Sequence, residues 1–202
     1  MRGIIFIPLF LFSVTAYSQS SEERFLDSTI AELKIQHKVD KNDQRIFMLL
    51  ESFYSEVLQA DKGNLSPQMV QKIGTYMKDN EVKNRHLLIL FLMYQDHISE
   101  TAAQGKRTNK AYQVACINLL EKEMSEVYGK LPTIVYIYKS EALRSAGRNE
   151  EARAVVEAGL KNSPASIPLK VYKYLDLKDE AIKNDLVKNH SGHWMVQQFG
   201  IK

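Results

Sequence analysis

Residues 133–164 read TIVYIYKSEALRSAGRNEEARAVVEAGLKNSP, and this stretch decides the fold. It divides at Gly147 into two amphipathic helices, and Pro164 closes the second. Glycine reaches the left-handed backbone that commonly ends a helix, so Gly147 marks the turn between them. Ser140 and Ala152 are small enough to let two helices approach closely. Tyr136, Leu143, Val156 and Leu160 fill the space beside them. One such hairpin cannot bury its own face, so it must stack on neighbours.

The rest of the chain supplies neighbours of the same kind. Gly (9) and Pro (5) are scarce and fall where helices begin or end. A first helix is expected from about Glu22 to Lys38, with Phe25, Leu26, Ile30 and Leu33 on one face. Ile46, Leu49, Leu50, Phe53, Val57 and Leu58 recur at three- and four-residue spacing, which predicts a second helix. Ser66-Pro67 starts a third, the serine capping free N–H groups and the proline standing where no N–H is needed. Val70, Ile73 and Met77 are its expected buried stripe. LLILFLMY (87–94) is apolar on every side and too short to span a bilayer, so it predicts a helix buried all round at the centre of the core. Lys110–Tyr128 follows, with Val114, Ile117, Leu120, Met124 and Val127 inward. Two further helical segments lie around 169–175 and 180–188. IVYIY (134–138) is the one segment whose β-branched and aromatic content favours a strand.

The register of 133–164 resembles a tetratricopeptide repeat. Tyr136 stands at the family's first aromatic place, Ser140 at its small place and Leu143 at the following large one. Ala152 and Val156 take the small and large places of the second helix, and Pro164 closes the unit. Lys139 and Gly159 depart from the pattern. The resemblance implies that IVYIY is helical and that the chain is an all-α, short, irregular, right-handed solenoid of antiparallel hairpins. It also implies that Ile134, Ile137, Glu141 and Arg144 are exposed in a concave groove, where they would bind an extended peptide or a partner's helix.

The first eighteen residues read as a cleaved signal peptide. Arg2 supplies the charged start, Ile4–Phe12 the apolar run, and Ala16 and Ser18 the small residues before a cut at Gln19. A retained anchor is the competing reading. Residues 19–202 are then a single exported domain, periplasmic or secreted, with no transmembrane segment. The net charge is +3, and +2 without Arg2, so no electrostatic case arises for nucleic acid. Cys116 is the single cysteine and forms no intramolecular bridge; it is expected in the core.

No phosphate loop, nucleophile elbow or zinc helix is present. Catalytic residues, metal ligands and cofactors are therefore expected to be none. His86 and His97 flank the apolar run and read as boundary residues. His190 and His193 lie three apart around Gly192 and read as a polar turn. The resulting expectation is a non-catalytic protein-binding or scaffold protein of the bacterial cell envelope. Two alternatives stand beside it: a hydrolase-type enzyme using His190 and His193, and a self-associating structural protein.

Overall fold

A computed structural model describes residues 20–105 and 108–202. Residues 1–18, read from the sequence as a signal peptide, lie outside the described residues. Within them the chain forms ten α-helices and no strand. They are α1 (Ser21–Gln36), α2 (Arg45–Tyr54), α3 (Pro67–Lys78), α4 (Arg85–Gln104), α5 (Lys110–Tyr128), α6 (Thr133–Ser145), α7 (Asn149–Asn162), α8 (Ile167–Leu177), α9 (Glu180–His190) and α10 (Trp194–Gln198). A π-helical turn, Ser55–Gln59, extends α2. No helix among the described residues is long and apolar enough to cross a membrane.

The helix ends are chemically marked. Ser20 and Glu23 close α1 with a reciprocal capping box, and Ser66, Asn109, Ser166 and Asp179 cap α3, α5, α8 and α9. Between α6 and α7 the Arg148 N–H donates to Leu143 O at 2.8 Å, and the Gly147 N–H to Arg144 O at 2.9 Å. This pair of bonds is a Schellman motif, and Gly147 carries the positive φ (80°) that the motif requires. The α6–α7 hairpin therefore forms as the sequence predicts, and IVYIY is helical within it. Ser140 and Ala152 are fully buried at its seam.

The two departures from the repeat pattern have local causes. Lys139 pairs with Glu121 on α5. Gly159 marks a close crossing: a Cβ there would stand 2.9 Å from Tyr136 Cβ and 2.8 Å from Leu169 Cδ1. The missing side chain lets α7 touch α6 and α8 at one point.

Tertiary packing centres on α4, which is contacted by α1, α2, α3 and α5. Leu87, Leu88, Leu90, Phe91 and Tyr94 are all but sealed from solvent. Phe53 of α2 meets Phe91 edge-on at 5.2 Å, and Tyr138 of α6 stacks on Tyr94 at 5.2 Å. An aromatic ladder thus links α2, α4 and α6. Contacts between distant elements also run from α1 to α5 and from α2 to α6. In a one-dimensional stack each unit touches only its sequence neighbours. Here the N-terminal helices fold back over the later ones.

Three expectations are corrected. The run 87–94 is not buried all round: Ile89, Leu92 and Met93 remain partly open to solvent. On α3, Val70 is 55% exposed, and Met69 is the buried residue. On α1, Phe25 is 57% exposed, while Leu26 and Ile30 are buried. In each case the neighbouring helix covers a narrower arc than the apolar pattern offers.

Gly159→Ala gains about 1 kcal/mol of helix propensity but forces an overlap with Tyr136 Cβ costing about 1–3 kcal/mol. The expected result is a net loss of stability, read as a lower urea midpoint by circular dichroism.

Candidate functional site

The face of α4 left uncovered runs along Ile89, Leu92, Met93 and Asp96, positions spaced by three and four residues and therefore neighbours on one helix surface. Met77, at the end of α3, forms the opposite wall, and Gln95 and Ser99 complete the lining. The resulting groove is shallow and open to solvent, with a volume of about 510 Å³. Its floor is apolar and its α4 end polar. Two of its apolar residues are methionines, whose unbranched side chains repack readily against varied partners. Asp96 is the one ionisable group in the lining. The arrangement suits the apolar stripe of a helix or an extended segment; it holds no paired acid and base.

The residues implied by the repeat resemblance lie elsewhere and are not open. Ile134 and Ile137 are fully buried and belong to the core, because α6 is packed by α2, α5 and α7. Glu141 accepts a hydrogen bond from the Tyr172 hydroxyl, and burial raises its pKa against the opposing effects of that bond and of Arg144. Arg144 donates two bonds of 2.6 Å to the Asp176 carboxylate, and its guanidinium lies 5.2 Å from the centre of the Tyr172 ring. Side chains of α8 thus occupy the place where the expected groove would begin. The apolar pair and the charged pair are also separated: the first supports the core, the second joins α6 to α8.

The two C-terminal histidines form no shared site. His193 is fully buried. Its Nε2 lies 2.9 Å from Leu58 O, and its Nδ1 accepts from the Met195 N–H at 3.3 Å, which caps α10. With both ring nitrogens engaged by backbone, His193 offers no lone pair to a metal or a substrate proton. Burial also lowers its pKa. His190 is half-buried at the end of α9. His97 packs its ring against Tyr112 at 4.7 Å. His86 is no boundary residue; it is fully buried. Cys116 is buried as expected, its thiol pushed up to about 12 by desolvation, which leaves it inert as a nucleophile.

The groove on α4 was hidden in the sequence because LLILFLMY shows no polar side. A signal does exist one turn further on. Asp96 and Ser99 continue the face that begins at Ile89 and Leu92, and they place that face toward water. Comparison with protein-family models, curated proteins and solved structures finds no match to this chain.

Since Arg144 holds Asp176, whose side chain is 9% exposed, Arg144→Ala leaves a nearly buried carboxylate without its main partner. A loss of about 2–4 kcal/mol is expected in urea unfolding, discounted for the partial exposure of the arginine. Arg144→Lys restores only part of it, because an ammonium cannot reproduce the two-pronged contact.

Proposed function

We propose that this chain is a non-catalytic, protein-binding all-helical scaffold, carrying one tetratricopeptide-like hairpin at 133–164, that works after export in the periplasm or outside the cell. The observation that carries the reading is the apolar groove between α3 and α4. Ile89, Leu92, Met93 and Met77 form its floor and far wall, and Gln95, Asp96 and Ser99 its polar end. A partner would seat an apolar helical stripe on the methionines and leave its polar face to water, a common mode of peptide recognition. The near-balance of charge supports a protein partner over a polyanion. Against a hydrolase built on His190 and His193 weighs the engagement of both His193 ring nitrogens by backbone.

Ile89 and Met93 stand one helical turn apart on the open face, so Ile89→Lys with Met93→Lys disrupts the groove. The double variant is expected to keep its far-ultraviolet ellipticity and to lose co-purification with a partner from its own envelope fraction. A photo-crosslinker at position 89 is expected to capture that partner, and one at the exposed Lys161 to capture none. Undiminished binding by the double variant rejects the groove.

A further inference from the structure

α1 is thinly held. It packs on α5 and α4. Leu26 and Ile30 anchor it, while Phe25 and Ile35 are 57% and 86% exposed. Two hollows of about 200 and about 370 Å³ lie along its seam with α5 and share Glu23 and Ala115. The chain just beyond α1 is fixed: the Asn84 N–H donates to Lys38 O at 3.0 Å, and Asn84 Oδ1 accepts from the Asp40 N–H at 2.9 Å. That clamp holds the segment after α1 against the start of α4 independently of α1 itself.

Beneath the last turn of α1 lies a buried polar group that packing does not satisfy. His86 and Glu123 are 0% and 4% exposed. Among the described residues neither ring nitrogen of His86 has a hydrogen-bond partner, and Nε2 stands 3.7 Å from Glu123 Oε2. Lys34 reaches in from α1 to pair with that same oxygen, with Glu126 Oε2 3.7 Å from its ammonium. His37, just after α1, lies with Nδ1 3.0 Å from Arg85 Nη2, and Arg85 also donates to Met77 O and Asn80 Oδ1. The charged and titratable groups around His86 are thus Lys34 and His37 from the α1 side, Glu123 and Glu126 from α5, and Arg85 beside it on α4.

We propose that α1 is a proton-released strap: a proton taken up by His86 gives Glu123 a partner inside the molecule, frees Lys34 and lets α1 leave α4 and α5. One carboxylate then serves two alternative cations. In the strapped state burial and the charges of Lys34 and His37 hold His86 down to about 4, against an ordinary value of 6.5. Lys34 belongs to α1, so departure of the strap removes its charge and admits water, while His37 stays with the clamped segment on Arg85. A histidine whose pKa is lower in the closed state stabilises that state fully above 6.5, and the stabilisation falls as pH drops toward 4. At pH 5 the strapped-to-open ratio falls about 10- to 30-fold. Opening bares the strip of α5 carrying Ala115 and Leu119, which Leu26 faces across the seam. The inference does not depend on the α3–α4 groove.

Amide hydrogen exchange of the full chain at pH 7.5 and pH 5, corrected for intrinsic rates, tests it. Residues 21–36 are expected to lose protection about 10- to 30-fold at pH 5 while α4 and α6 keep theirs. His86→Gln, which cannot take up the proton, is expected to abolish the step. Lys34→Met is expected to open α1 already at pH 7.5. Equal protection of α1 at both pH values overturns the proposal, as does loss in step with α4 and α6 or an unchanged step in His86→Gln. If His86→Gln does not fold, Lys34→Met decides, and wild-type protection of its α1 at pH 7.5 overturns the strap.

Discussion

Eight consecutive apolar residues on one helix, Leu87 to Tyr94, set the problem that the rest of the structure answers. Each such side chain gains about 1.5–3 kcal/mol when removed from water, so no single partner helix suffices. α1, α2, α3 and α5 all pack on α4, and Phe53 and Tyr138 extend its aromatic residues into α2 and α6. This demand explains why the N-terminal helices fold back over α4–α6. Coverage still fails over one arc, and that arc is the groove. The candidate site is the remainder of an incomplete burial.

The second organising feature joins the end of α2 to the C-terminal helices. Gln59, in the π-helical turn after α2, accepts from the Tyr54 hydroxyl at 2.6 Å and from the Ile167 N–H at 3.0 Å, and donates to Ala165 O at 3.2 Å. His193 bonds Leu58 O, and the Trp194 N–H donates to Asp61 O at 3.0 Å. A π turn leaves carbonyls poorly paired within the helix. Here α10 supplies a partner from across the fold. The irregular stretch of α2 and the last helix therefore satisfy each other, and the histidine that could suggest metal chemistry is committed to backbone.

The hairpin at 133–164 was legible because its markers are local. Gly147, Ser140, Ala152 and the closing proline act over a few residues, and α6 and α7 follow from them. The groove assigned to Ile134, Ile137, Glu141 and Arg144 was not legible in the same way. Exposure depends on what lies against a helix. α2 comes from about eighty residues upstream to cover α6, and α8 brings Tyr172 and Asp176 to its charged end. Gly159 shows the converse. As a sequence it was a departure from pattern, and in three dimensions it is the contact point of α6, α7 and α8.

The sequence by itself determined the all-helical class, the approximate span of most of the helices, their caps and breaks, and the burial of Cys116. These follow from periodicity and from side chains acting on their own backbone. Only the tertiary structure decided which apolar arcs stay open. It alone showed that His86 is interior, that Arg144 and Asp176 pair, and that Ile89, Leu92 and Met93 face a groove. Those outcomes depend on non-local contacts, and a helix's own pattern fixes which face it offers but not how much of that face its neighbours can cover.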